Sequence, residues 1–269
     1  VFFAAVDYHK FIKYVPFAMI VGMILLVCVR IPGIGQNRNG SWRWLKTPLI
    51  QLQPSEFMKP TLALFFAKMI SEKKYRPDNI IGLVPYLAVL AVIGGLMIIE
   101  PHLSGAIVIC GIGVMVMLVG GAKLRYFVIP GVFLGPIGFV FLRMDPVRWG
   151  RVLSFIDPFR DTASNSYQIT QSLIALGSGG LFGRGLGQSV QKYTFLPEPY
   201  NDFIFAVVCE ELGFVGAGII ILLFAALIIR GVKIAFEAPD TYGMLAVVGI
   251  ISHIAIQMVF NIAVVCSAI

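Results

Sequence analysis

Long, almost uninterrupted apolar blocks recur from one end of this chain to the other, and they restrict its fold more than any other feature. A helix that crosses a bilayer needs about 20 apolar residues. Seven segments reach or approach that length: Val15–Val29, Phe57–Met69, Ile80–Ile99, Ala106–Gly121, Phe127–Phe141, Phe203–Ile229 and Met244–Ile269. The chain is 58% hydrophobic and only 13% charged, which fits lipid rather than water as the solvent for most of its surface. Within lipid every backbone polar group must be satisfied internally, so such segments become helices. The expected fold is an all-α polytopic integral membrane protein of seven to eight transmembrane helices with a large outer loop. Val1–Val6 reads as the tail of the eighth span. With no initiator Met and an apolar run at its end, the sequence reads as a fragment, and its first span can act as the insertion signal.

The distribution of cations sets the orientation. Lys10, Lys13, Lys68, Lys73, Lys74, Arg76, Lys123, Arg125, Arg230 and Lys233 all fall on one side of the predicted spans. Short loops rich in Lys and Arg stay in the cytoplasm, so the other side is extracytoplasmic. A first outer loop then covers residues 30–55, and a large one covers 143–201. The large loop still carries Arg143, Arg148, Arg151, Arg160, Arg184 and Lys192. Long loops are largely exempt from the charge rule. Their cations suit either a solvated surface or an anionic partner such as a lipid head group or a substrate.

Several chemistries find no support. The four cysteines (Cys28, Cys110, Cys209, Cys266) lie in apolar spans without CxxC spacing and read as small core residues. His9, His102 and His253 are isolated, so no metal site is expected. The run Gly177–Gly187 lacks the Lys-Ser/Thr of a phosphate-binding loop and follows no strand. Its glycines are better suited to tight turns and close backbone approach. No nucleic-acid partner is expected.

The polar constellations that remain are few. Residues Ser164–Leu176, with Tyr167, Ile169, Leu173, Ile174 and Leu176 among polar neighbours, predict a short amphipathic helix in the interface. Pro197 and Pro199 stiffen the approach to Asp202, which stands where the loop enters an apolar helix. Asp202 is either an N-cap or a partly desolvated carboxylate tuned to act as a base. Glu56 and Lys59 are three apart on one helix face, an arrangement equally compatible with a structural ion pair and a functional site. Lys59 and Lys68 lie near the ends of their span and can snorkel to the interface. Glu210 and Glu211 are consecutive within an apolar helix, so at most one faces a cavity and the other needs a donor or a proton.

Taken in order, NGSWRWL, QPSEFMK, PHLSG, RVLSFIDPF, YQITQSLIALGSGGLFGRGLGQSVQK and LPEPYNDFIFAVVCEELGFVG resemble the SEDS family, the FtsW, RodA and SpoVE group of bacterial cell-wall synthases. The resemblance runs over nearly the whole chain and is closer to the division and sporulation branch. It implies a fold of about ten transmembrane helices, of which this fragment lacks the first and last spans, and a catalytic role for the 143–201 loop within a single membrane domain over 1–269. It further implies a peptidoglycan glycosyltransferase acting on lipid II, with Asp202 as the base on the acceptor 4-hydroxyl. Arg43, Arg184, Lys192 and Gln188 would bind the substrate, and Glu56 and Lys59 would hold the first outer loop or touch the diphosphate. A divalent cation, Mg2+ or Mn2+, is a candidate at the diphosphate, though the sequence offers no dedicated cage. The implied partner is a class B penicillin-binding protein. Two departures stand out: EPHLSG replaces the usual QPDLGT, placing Glu100 for Gln and His102 for an acid, and Tyr200-Asn201 replace the usual His-Thr before the retained aspartate. The rival reading is a lipid II flippase or a proton-coupled carrier, which Glu56, Glu210 and Glu211 would also suit.

Overall fold

A computed structural model describes residues 7–38, 41–46, 52–73, 76–100, 102–144, 149–150, 152–153, 157, 159, 166–194 and 203–268. In chain order its elements are α1 (His9–Ile12), α2 (Val15–Cys28), β1 (Gly35–Arg38), β2 (Ser41–Leu45), α3 (Pro54–Ser71), α4 (Ile80–Ile99) and α5 (Leu103–Val119). Then follow α6 (Arg125–Met144), α7 (Tyr167–Ser178), α8 (Val190–Thr194), α9 (Ile204–Phe236) and α10 (Thr241–Val265). Helices α4, α6, α9 and α10 are long and apolar enough to cross a membrane, and α2 and α5 are shorter apolar helices. The chain divides into two compact units, 1–128 with 230–256, and 129–229 with 257–269.

The first unit is built around α3, which packs on α2, α5 and β2, while α4 packs on α5. Pro54 starts α3 at a position where its missing N–H costs nothing. Pro60, inside the helix, cannot donate to the carbonyl of Glu56, and in the same turn the Thr61 hydroxyl donates to the Phe57 carbonyl at 2.7 Å. Met58, Leu62, Phe66, Tyr86, Ile93, Met97, Ile109 and Val116 form the buried core, with Phe66 and Tyr86 edge to face at 5.1 Å. Because lipid is as apolar as these side chains, close fit rather than exclusion from water holds such helices together. Gly249 of α10 shows this, since a Cβ there would strike that of Ala63 on α3.

Two smaller devices order the rest of this unit. The antiparallel hairpin β1–β2 lies within the predicted first outer loop, its register shifting by one residue between Gln36 and Asn37. On the predicted cytoplasmic side, Asp240 accepts from the Tyr8 hydroxyl and from the Gly243 N–H at 3.2 Å, which ties the chain before α1 to the start of α10.

Within the second unit, α7 matches the predicted amphipathic helix in place but not in the face it uses. Its buried residues are Ile169, Thr170, Ser172 and Ala175, while Ile174 is exposed. Ala175 packs with Phe203, Ala206, Val207 and Val265, and the Ser172 hydroxyl lies 2.8 Å from the Ile169 carbonyl and 3.1 Å from that of Val265. Small residues allow that approach; a stripe of larger apolar side chains would hold the helices apart.

Helix α9 departs most from the expected Phe203–Ile229 span. At about 1.5 Å per residue, its 33 residues are longer than a hydrocarbon core of about 30 Å. The helix is broken at Gly213, where φ is 69° and ψ is −171°. Phe214–Phe236 alone is long enough to cross, at roughly 34 Å. Glu210 and Glu211 therefore belong to the short half before the break.

Among the cysteines, only Cys209 is buried; Cys28 and Cys110 are half-buried and Cys266 is exposed. A core role holds for Cys209, while the others border the helix surfaces.

Candidate functional site

The Gly-rich run 177–187 is fastened to the break in α9. Arg184 and Gly185 donate their N–H groups to the carbonyls of Glu210 and Glu211, each at 3.0 Å. In return Phe214 and Val215 donate to Gly180 and Leu181, at 2.9 and 3.1 Å. A helix interrupted at Gly213 frees those carbonyls and N–H groups, and the loop backbone satisfies them. A Cβ at Gly213 would collide with the backbone of Leu181 and Gly183, so both the positive φ and the contact require glycine.

Side chains complete the fastening. Glu210 is fully buried and accepts from Ser189 Oγ at 2.6 Å, Val190 N at 3.1 Å and Gln191 N at 3.3 Å, with Arg184 Nη1 at 3.4 Å. Ser189 Oγ also accepts from Lys192 N at 3.0 Å, which caps α8. Lys192 Nζ lies 3.8 Å from Glu211 Oε1 and over the Tyr193 ring at 5.3 Å. Both carboxylates thus have cationic partners, and the donor that at least one of them was expected to need is found for Glu210 in Ser189, Val190, Gln191 and Arg184. Arg184 additionally reaches the Ser178 carbonyl at 3.4 Å. Gln188 is exposed on the same loop. Asp202 lies outside the described residues; the residue after it, Phe203, is buried in the α7–α9 core.

A second polar cluster occupies the predicted outer end of the first unit. Glu56 Oε1 and Lys59 Nζ are 2.7 Å apart. Lys59 is only 2% exposed while the Glu56 side chain is 52% exposed. The lysine therefore does not snorkel: it is enclosed by the helices around α3 and takes its carboxylate from one turn away. Lys68, at the opposite end of α3, is 3.7 Å from Glu72. Arg43 projects from β2, half-buried, with its Nε unpartnered among the described residues.

Glu100 and His102, which close α4 and open α5, are 2% and 7% exposed. Burial pushes the Glu100 carboxyl up to about 7 against the opposing pull of Arg30 and Arg43. Burial pushes His102 down to about 4, helped by Arg43 and Lys59 and opposed by Glu56. Sequence reasoning assigned neither residue to the site. The available signal was an acid and a histidine on either side of Pro101, in a turn between two apolar blocks.

The described residues do not fit a divalent cation. They contain no group of three His, Cys, Asp or Glu side chains placed to hold one. Glu100 shares its surroundings with Arg30 and Arg43, and Glu56 is paired with Lys59.

Comparison with known proteins agrees with this architecture. The family model described as "Cell cycle protein", covering FtsW, RodA and SpoVE, matches residues 1–269. The chain is 44% identical to "Stage V sporulation protein E" of Bacillus subtilis, over 100% of this chain and 74% of that protein. It is 36% identical to "Probable peptidoglycan glycosyltransferase FtsW" of Trichlorobacter lovleyi, over 97% of this chain and 68% of that one. Among solved structures, it superposes with a TM-score of 0.80 and 23% identity on a chain from the work described as "Structural coordination of polymerization and crosslinking by a peptidoglycan synthase complex", covering 97% of this chain and 73% of that one. At that identity the likeness speaks for the fold. The chain is a multi-pass membrane protein that belongs to the FtsW/RodA/SpoVE family.

Proposed function

We propose that this chain polymerises lipid II into glycan strands on the extracytoplasmic face of the bacterial cytoplasmic membrane, with Asp202 as the general base. The observation that carries this reading is the anchoring on either side of the segment 195–202. Before it, Ser189, Val190, Gln191 and Lys192 are held by Glu210 and Glu211; after it, Phe203 is held in the core with Ala175, Ala206 and Val207. A catalytic carboxylate needs such fixed supports on both sides.

The chemistry follows from the substrate. The donor sugar is α-linked to a diphosphate and the product is β-1,4-linked, so the anomeric carbon inverts in one displacement. Asp202 takes the proton of the acceptor 4-hydroxyl as that oxygen bonds to the carbon and the carbon–diphosphate bond breaks. Undecaprenyl diphosphate leaves with negative charge on its oxygens, which cations must stabilise. Arg43, with an unpartnered Nε, has capacity for that task. Arg184 and Lys192 already hold carboxylates, so they serve the diphosphate by sharing, and Gln188 adds an exposed amide. Glu56 and Lys59 set the first turn of α3 beneath the hairpin that carries Arg43. A class B penicillin-binding protein is the proposed partner, in keeping with a structural neighbour from a synthase complex that polymerises and crosslinks. A carrier reading loses its main support here, because Glu210 and Glu211 are paired and lie before the break in α9.

The test uses full-length protein with its cognate class B partner and labelled lipid II, with products resolved on a gel. Polymer from wild type and none from Asp202→Asn is the expected outcome. Normal polymerisation by the asparagine variant would remove the base assignment. Lipid II translocation in vesicles without polymer would favour a flippase.

A further inference from the structure

Four polar atoms in the outer cluster of the first unit are buried and unpartnered among the described residues: Arg43 Nε, Ser55 Oγ, Glu100 Oε1 and His102 Nδ1. Three of their residues are more than nine-tenths buried, with Ser55 at 1%, Glu100 at 2% and His102 at 7% exposure. They come from different elements that pack on one another. Arg43 lies on β2, Ser55 on the first turn of α3, and Glu100 and His102 in the turn from α4 to α5; β2 and α5 both pack on α3. Arg43 is near enough to act electrostatically on both Glu100 and His102. The His102 ring sits over Gly105, whose missing Cβ leaves room beside Nδ1. A buried polar group without a partner is costly, and one retained in a native fold points to a catalytic role or to a bound water, ion or ligand.

The combination selects the ligand chemistry. Arg43 Nε–H only donates, Glu100 accepts when ionised and also donates when it holds a proton, and the serine and histidine can do either. An ionised phosphate offers acceptors alone and so leaves the accepting oxygen of Glu100 without a donor. A metal cation would be repelled by Arg30, Arg43 and Lys59. Hydroxyl and acetamido groups donate and accept together, as this set requires. We infer that Ser55, Glu100 and His102 recognise the sugar portion of the lipid-linked substrate, beside Arg43 at its diphosphate. This rests on the glycosyltransferase reading for its choice of substrate.

Binding rather than turnover tests it. Full-length wild type, Glu100→Met, His102→Leu and the conservative Glu100→Gln would be titrated with labelled lipid II and, separately, with undecaprenyl diphosphate, which lacks the sugar. Melting temperatures would be measured alongside. Sugar recognition predicts that the Met and Leu variants lose about tenfold or more in lipid II affinity, the loss of one good polar contact. Their affinity for undecaprenyl diphosphate stays within about twofold on the same scale. Their melting temperatures hold or rise, because an unpartnered buried group has been removed, and Glu100→Gln retains most lipid II binding. Unchanged lipid II binding overturns the inference, as do equal losses for both ligands with a lowered melting temperature. Wild type that binds lipid II but forms no polymer would sink the glycosyltransferase reading while the affinity comparison still decides the sugar site. Wild type that binds neither ligand overturns the sugar site as well.

Discussion

Ser189 Oγ and Glu210 Oε2, 21 residues apart in sequence, are joined by a 2.6 Å hydrogen bond that fixes the cap of α8 to the broken end of α9. The same carboxylate holds two backbone N–H groups and Arg184, so one fully buried side chain organises the approach to the segment containing Asp202.

Each buried donor left without its acceptor costs about 1–3 kcal/mol. Glu210→Ala strips several at once and should destabilise more than Ser189→Ala, which loses a cap worth about 1 kcal/mol. Hydrogen exchange should show residues 180–194 losing protection in Glu210→Ala, with α3–α5 unaffected. Unaltered exchange in that loop would show that the backbone ladder to Glu210 and Glu211 suffices.

The break itself is the next point of test. At Gly213, Ala would have to adopt φ near 69° and would also meet the backbone of Leu181 and Gly183. The strained φ alone costs roughly 1–3 kcal/mol, and the collision adds to it. Gly213→Ala should therefore lower the melting temperature sharply and release the loop to proteolysis. An Ala variant that melts like wild type would mean the helix can run straight there.

Much of this was legible in the chain. Lipid demands long apolar helices, so apolar blocks map onto α2, α4, α5, α6, α9 and α10 with small errors at their ends. The Gly-rich turn could be read from composition. The break at Gly213 could not, because Gly216 and Gly218 lie in the same run and leave the helix intact. The partners of Glu210 were hidden for a related reason: a buried carboxylate is satisfied by residues distant in sequence, here Arg184 and Ser189. Lys59 was misjudged because snorkelling was argued from its position in the span, whereas α3 turned out to be the central helix and encloses it.

That enclosure has a measurable consequence. Removing the carboxylate beside a buried charge weakens its compensation, whereas replacing the buried charge with a similar apolar volume is often tolerated. Glu56→Ala should therefore destabilise the protein more than Lys59→Met, and the double variant should recover much of the loss. Thermal melting of the three variants in the same detergent checks the order; equal losses from the two single changes would show that water reaches Lys59 Nζ through the exposed glutamate.

Glu100 gives the stability of the first unit a pH dependence of defined sign. Its carboxyl is raised from 4.5 to about 7 by burial, so the folded state holds a proton that the unfolded chain releases. The stability associated with that proton is fully present below pH 4.5 and is lost as pH rises to about 7. His102 acts oppositely, because its value is depressed from 6.5 to about 4: its share is present above 6.5 and lost as pH falls toward 4. Glu100→Gln removes only the first effect. Its melting temperature relative to wild type should therefore climb between about pH 5 and pH 7 and level off above that, following the carboxyl's own titration. A difference that stays flat across the window would show that Arg30 and Arg43 keep Glu100 ionised throughout.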